Sequence, residues 1–374
     1  MKILDNYIHE VLEQSTPQKP IWNKEKKLNE EENIWDYING CMIRAILELY
    51  NITKKSGYLE FADNFADYFV NEDGNIRTFD PDDFNLDTIM PGRTLFDLYK
   101  LTKKEKYRKA LDTVYHRLIK HPRTKTGNFW HKDIYPNQIW LDGLYMGQPF
   151  YMQYEVEYNN SKNCTDSYKQ FLNVYKLMRD EKNGLYFHAY DESREMFWCD
   201  QVTGLSQCFW LRALGWYAMA LIDTMEHMPE HMTVEKEEMK RIYKELIDSM
   251  LNYQHESGMW YQVVNFGGIA PNYLETSGSA IFAYAIMKSV RLGYLPKEYF
   301  QYGEKAFHGT CNRHLSEKDG KLQLGGICLV AGLGNTTHRE GTFDYYMKEP
   351  IVENEAKGIA PLILAYTEIL YSNI

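Results

Sequence analysis

No stretch of this chain approaches the length of an apolar membrane span. Its first ten residues, Met1 to Glu10, read as an amphipathic helix with charges inside the apolar stripe, so a signal peptide is not expected either. Positive charge is in short supply. Lys and Arg number 42 against 52 Asp and Glu, and the net charge of -10 argues against nucleic acid or an anionic membrane surface as a partner. Cysteine is sparse and scattered: Cys41, Cys164, Cys199, Cys208, Cys311 and Cys328 include no CxxC pair. That disfavours a zinc site of common spacing and a disulfide framework, and suits reduced thiols in a cytoplasmic protein. Also missing are GxSxG, HExxH, a phosphate-cradling glycine loop and a dinucleotide fingerprint, which disfavours serine-hydrolase triads, zinc proteases and nucleotide enzymes.

Aromatic residues, by contrast, are everywhere: 30 Tyr, 17 Phe and 8 Trp in 374 residues. They crowd most tightly in the stretch from Phe129 to Met146, around Trp130, His131, Tyr135, Trp140 and Tyr145. Asp142 lies in this stretch between Trp140, Leu141, Leu144 and Tyr145. A carboxylate in such company either accepts backbone hydrogen bonds or has its pKa raised by desolvation, which makes a general acid. The plainer role is to cap a helix starting at Gly143, since Asp is a favoured N-cap residue. Aromatics around an acid suit sugar rings, whose faces lie on Trp and Tyr; their plainer role is core filling.

The order of elements predicts a helical architecture. Residues 1 to 16 read as a helix, and Pro17 and Pro20 end it before a polar linker that runs to Asn33. Ile43, Ile46, Leu47 and Tyr50 share one face of a helix over Trp35 to Tyr50, and a second helix follows from Tyr58 to about Val70. The intervening Leu49-Tyr50-Asn51-Ile52-Thr53-Lys54-Lys55-Ser56-Gly57-Tyr58 returns 49 positions later as Leu98-Tyr99-Lys100-Leu101-Thr102-Lys103-Lys104-Glu105-Lys106-Tyr107, so a helical hairpin repeats. Gly40, Gly92, Gly147, Gly215, Gly278 and Gly358 mark six helices whose apolar and small residues run all round, as in 213–220 and 279–285. Such helices are buried on every side, whereas partners such as Val234 to Tyr253 are amphipathic. Spacings of 52 to 80 residues between those glycines are too irregular for an open solenoid. They predict one all-α domain over 1–374, a closed (α/α)6 barrel of six inner and six outer helices. Short β-hairpin pieces at 184–190 and 259–264 would line its rim.

Candidate chemistry gathers where loops enter the inner helices. Asp87 precedes the second and Asp142 the third, so two carboxylates could face each other across a cleft, as glycosidic chemistry requires; capping is again the plainer role for Asp87. His131 and His188 sit beside aromatics and could be structural or functional. Arg212, flanked by Trp210 and Trp216 at the start of an inner helix, has no local carboxylate and wants a buried Asp or a substrate carboxylate.

These residues resemble a known family. Asn85-Leu86-Asp87, Phe129-Trp130-His131, Ile139-Trp140-Leu141-Asp142-Gly143-Leu144-Tyr145-Met146, Phe187-His188 and Trp210-Leu211-Arg212-Ala213-Leu214-Gly215-Trp216 are similar to the motifs of unsaturated rhamnogalacturonyl hydrolases, glycoside hydrolase family 105, related to the unsaturated glucuronyl hydrolases of family 88. The resemblance runs from Trp35-Asp36-Tyr37 to Glu349-Pro350-Ile351-Val352-Glu353-Asn354. It implies an (α/α)6 barrel without metal or cofactor, Asp142 as general acid and base, and Asp87 as assisting carboxylate. His131, His188, Trp210, Arg212 and Trp216 would surround the substrate, with Tyr37, Trp140 and Met146 beside them. The implied reaction is hydration of the C4=C5 double bond in a terminal unsaturated galacturonic acid of a rhamnogalacturonan fragment, a small-molecule substrate taken by a monomer. Alternatives are an unsaturated glucuronyl hydrolase acting on glycosaminoglycan fragments and a helical toroid that binds oligosaccharides without turning them over.

Overall fold

The computed structural model describes residues 2–334 and 338–374. Six helices form an inner ring: α3 (Tyr37–Thr53), α5 (Gly92–Thr102), α7 (Leu141–Tyr158), α9 (Leu211–His227), α11 (Thr276–Arg291) and α14 (Ala356–Tyr371). Each touches the next, and α14 touches α3, so the ring closes. The helices α4 (Ser56–Phe69), α6 (Glu105–Leu118), α8 (Cys164–Met178), α10 (Thr233–Leu251) and α12 (Phe300–His314) pack outside. Burial follows the sequence pattern. In α9 every residue from Leu211 to Met225 is buried, whereas α10 buries only the stripe Met239, Ile242, Tyr243, Leu246, Ile247 and Met250. The inner glycines are close-approach points: a Cβ on Gly215 would meet Ile281 Cγ2 at 2.7 Å, and one on Gly278 would meet Leu211 Cγ at 2.3 Å. With neither side chain present, α9 and α11 can pack together directly.

The repeated hairpin is a repeated conformation. Lys54 and Lys103 both end their helices in the left-handed region, at φ 56° and 59°. Thr53 and Thr102 both donate their hydroxyls back to the carbonyls of Leu49 and Leu98.

The N-terminal segment differs from expectation. The sixth outer helix is α1 (Lys2–Glu13), which reaches the last inner helix, α14, from the opposite end of the sequence. Tyr366 of α14 donates to Asp5 Oδ1 at 2.9 Å, and Tyr7 donates to Asn354 Oδ1 at 2.8 Å. Residues 17–33 are a packed strap rather than a free linker. They hold α2 (Lys24–Leu28) and bury Trp22, Asn23 and Asn33; Trp22 Nε1 donates to Asn39 and the Lys24 amide to Glu355.

Strands are confined to the rim. The piece expected at 184–190 contributes β2 (Ala189–Asp191), whose partner is β1 (Gln138–Trp140), antiparallel with Trp140 opposite Ala189. The piece expected at 259–264 forms no strand; Val263 and Tyr261 make single bridges to Trp210 and Leu274. Further along, β3 (Leu315–Lys318) pairs with β4 (Lys321–Leu324), and β5 (Ile327–Cys328) with β6 (Ile351–Val352). The segment between β5 and β6 carries the short α13 (Phe343–Lys348). No helix among the described residues is long and apolar enough to cross a membrane.

Inside the ring, Asp223 of α9 binds Arg93 of α5 at 2.7 Å and Lys288 of α11 at 2.7 Å, with Arg44 of α3 at 3.7 Å. Burial opposes the charge on Asp223, but its cations hold the carboxyl far below the usual range. One buried anion thus ties four inner helices together.

Candidate active site

Pairing of β1 with β2 fixes the geometry of the cleft. The Leu141 amide donates to the His188 carbonyl at 3.1 Å, so the first turn of α7 and the start of β2 lie side by side. Asp142 is in that first turn, where an anion suits the positive end of the helix dipole. It is not the cap: extended Trp140 occupies that position, and no side-chain cap bond forms. Asp142 Oδ2 lies 3.2 Å from Nε2 of fully buried His188, close but without the alignment of a hydrogen bond, and its side chain is 14% exposed. The other imidazole nitrogen, Nδ1, is 2.8 Å from the hydroxyl of Tyr346 on α13.

Asp87 reaches the same cleft from a 3-10 turn over Leu86–Thr88. Asn85, not Asp87, caps that turn, accepting from the Asp87 amide at 3.0 Å. Arg117 on α6 fastens it from below through the carbonyls of Asp83 and Asn85 and the Thr88 hydroxyl. An Asn85–Lys132 bridge then sets the Asp87 turn against the aromatic stretch. The result is an ion pair of 2.6 Å between Asp87 Oδ2 and Lys132 Nζ, with His131 Nε2 3.9 Å from Oδ1. Burial works to raise the Asp87 pKa, but Lys132 and then His131 outweigh it, and the carboxyl is held below its ordinary range.

His131 is pressed into an aromatic stack: its ring lies 4.6 Å from Trp140, which lies 4.9 Å from Tyr135, all nearly parallel. Gly143 leaves room for it, since a Cβ there would come within 3.1 Å of His131 Nδ1. Burial pushes its pKa down to about 4 against the pull of Asp87, so it is neutral at pH 7.

Arg212 is buried with its guanidinium 4.8 Å from the Trp210 ring centroid. Its Nη1 donates to Cys328 O at 2.5 Å and Ser277 Oγ at 3.2 Å, and its Nη2 to Leu329 O at 3.4 Å. Glu275, which caps α11, accepts from the Ser277 hydroxyl and the Cys328 amide and so orients those partners. Among the described residues no carboxylate lies within 4.0 Å of Arg212, which leaves a buried cation facing the cleft without an anion of its own.

Tyr37, Asp87, His131, Trp140, Asp142, Met146, Trp210, Arg212 and Trp216 all line one cleft that opens to solvent. His188 stands one step behind Asp142. Trp216 stacks on Tyr145 at 4.9 Å and meets the edge of Tyr37 at 6.5 Å. Sequence reasoning missed Lys132, Tyr135, Tyr346, the wall Val330–Gly332 and Arg339. Lys132 could have been found by asking which cation offsets Asp87; the C-terminal residues carry no local signal.

An acid beside an imidazole, a second carboxylate locked as an anion, and an aromatic floor are the parts of a glycosidase. The family described as Glycosyl Hydrolase Family 88 matches residues 7–372 of this sequence. The chain belongs to that family. It is 41% identical to a glycoside hydrolase from family 105 of C. acetobutylicum ATCC 824, with a TM-score of 0.91 over 100% of this chain and 99% of that one. Protein Atu3128 of Agrobacterium fabrum is 38% identical over 232 residues, 60% of this chain and 98% of that protein. The unsaturated rhamnogalacturonyl hydrolase YesR of Bacillus subtilis is 24% identical over 343 residues, 88% of this chain and 89% of that protein. The chain is therefore a family 88/105 glycosidase of the family 105 type, on an (α/α)6 barrel.

Proposed function

We propose that this glycosidase removes the terminal 4,5-unsaturated galacturonic acid from rhamnogalacturonan-derived oligosaccharides by hydrating its C4=C5 bond. The observation that carries the reading is the unequal environment of the two carboxylates. Asp87 is held as an anion by Lys132 at 2.6 Å, while among the described residues the only basic group within 4.0 Å of Asp142 is the imidazole of His188, at 3.2 Å. Carboxylates in different environments take different roles. Asp142 gives its proton to C4 of the vinyl ether; as a carboxylate it then takes a proton from the water that adds to C5. The C5 hemiketal opens, the leaving sugar departs, and the uronate is released as a keto acid. Trp140, Tyr135 and Trp216 supply ring faces for the sugars, and Arg212 supplies charge for the uronate carboxylate. The likeness to YesR supports rhamnogalacturonan as the source of substrate.

The decisive variant is Asp142→Asn, which keeps the shape but has no transferable proton. Loss of ultraviolet absorbance from the conjugated uronate of an unsaturated galacturonyl-rhamnose disaccharide should slow beyond the roughly 10²–10⁴-fold usual for general acid catalysis, since one group serves twice. Near-normal turnover by the variant would reject Asp142 as the acid. Comparable cleavage of the saturated disaccharide by wild type would reject hydration. Faster turnover of unsaturated chondroitin disaccharides than of the rhamnogalacturonan one would overturn the substrate.

A further inference from the structure

The His188 imidazole is clamped on its far side by a residue that the sequence motifs do not contain. Tyr346 is fully buried, and its hydroxyl has His188 Nδ1, 2.8 Å away, as its hydrogen-bond partner among the described residues. Its helix is fixed at both ends of the segment between β5 and β6: the Thr342 hydroxyl caps it, and the neighbouring Tyr345 donates to the Gly332 carbonyl in the cleft wall at 2.7 Å. The Tyr346 ring packs on Trp210, which lines the cleft.

A buried hydroxyl must place its proton somewhere. If His188 carried hydrogen on Nδ1, alone or as imidazolium, it would donate to the Tyr346 oxygen and leave the phenolic proton with no acceptor. With hydrogen on Nδ1 alone, the bare Nε2 lone pair would also face an oxygen of Asp142 at 3.2 Å. The Nε2–H tautomer avoids both faults: the phenol donates to Nδ1, and an N–H rather than a lone pair lies 3.2 Å from Asp142 Oδ2. Burial raises the phenol pKa well above its ordinary value, so the proton stays on Tyr346 as this arrangement needs.

We infer that Tyr346 is a positioning residue that fixes the Nε2–H tautomer of His188, so that an N–H rather than a lone pair faces Asp142 Oδ2 and Oδ1 is the oxygen left to carry the proton to C4. The last step rests on the hydration reading above; the tautomer does not. No proton moves through Tyr346 or His188. Asp142 Oδ1 loses its proton to carbon and regains one from water, while the Nε2–H of His188 stays in place.

The test is a long-range proton–nitrogen NMR correlation on the full chain labelled with 15N-histidine, the His188 signals being assigned by their loss in His188→Gln. At neutral pH, Nδ1 should resonate as an unprotonated acceptor and Nε2 as protonated; a protonated Nδ1 overturns the inference. In Tyr346→Phe, which keeps the ring against Trp210, the tautomer should no longer be fixed. There kcat should fall roughly ten- to a hundredfold, as when an outer partner of a functional histidine is removed, with KM nearly unchanged. Wild-type kcat, or a raised KM with kcat intact, would overturn it. If the variant fails to fold, the wild-type spectrum alone decides. If wild type turns over no unsaturated disaccharide, the hydration reading fails, and the spectrum still decides the tautomer.

Discussion

The Asp87–Lys132 pair gives a prediction that separates electrostatics from simple substrate contact. Replacing Lys132 with Met keeps most of the stem and removes the ammonium 2.6 Å from Asp87 Oδ2. At that separation two unit charges attract by ~6 kcal/mol in an effective dielectric of about 20. The side chains are 21% and 14% exposed, so water replaces part of what is lost. A loss of about 2 kcal/mol of support for the anion is a reasonable scale, below the ~3–5 kcal/mol for breaking a fully buried pair. Burial, now opposed only by His131 and more distant cations, then favours the protonated form of Asp87. The acid limb of the kcat/KM profile should move to higher pH by on the order of one unit, since 1.36 kcal/mol corresponds to one unit. The variant should therefore lose activity mostly on the acid side and reach its plateau again below neutral pH. Lys132→Arg, which keeps the charge, should leave the limb near its original place. The assay is the pH profile on the unsaturated disaccharide, read for shape rather than height. A Lys132→Met profile that is lower everywhere but unshifted would refute the claim that Lys132 acts through Asp87.

Asp223→Asn should cost about 3–5 kcal/mol in denaturant unfolding, because Arg93 and Lys288 would remain buried without their shared anion; a loss under ~1 kcal/mol would show that the inner network does not hold the ring. Asp36 caps α3 through the Asn39 amide, and burial pushes its pKa up to about 7 despite that bond. Its unfolded pKa is near 3.9. As pH rises from there toward 7 the unfolded chain ionises first, so wild type loses stability over that window. Asp36→Asn should be the more stable protein at pH 8, with the gain shrinking toward pH 4. A difference in thermal midpoint that does not vary with pH would refute this.

Legibility in the sequence followed the range over which each feature is built. The six inner helices were visible because a helix buried on every side must be apolar and small all round, as 213–220 and 279–285 are. The sixth outer helix was not recognised as such: α1 acquires its role only when α14, at the other end of the chain, needs a partner. The packed strap from 17 to 33 also escaped, since Lys and Glu dominate its composition while Trp22, Asn23 and Asn33 do the burying. The plainer capping roles offered for Asp87 and Asp142 miss by two positions, since Asn85 and Trp140 take the junctions. Boundaries of that kind depend on backbone angles that residue type only biases.

The candidate site divides the same way. Residues on the 129–146 stretch and the 210–216 helix start were found because aromatic and charged side chains cluster there in sequence; Tyr346 meets His188 across 158 positions and could not be. Yet the chemistry depends on both classes. Lys132 commits Asp87 to the charged state. Among the described residues, the only basic group within 4.0 Å of Asp142 is the imidazole, which Tyr346 holds from behind. The barrel thus gives two chemically identical side chains different partners. The local motif places Asp87 and Asp142 at one cleft, and the long-range contact sets the His188 imidazole, rather than a lysine, beside Asp142.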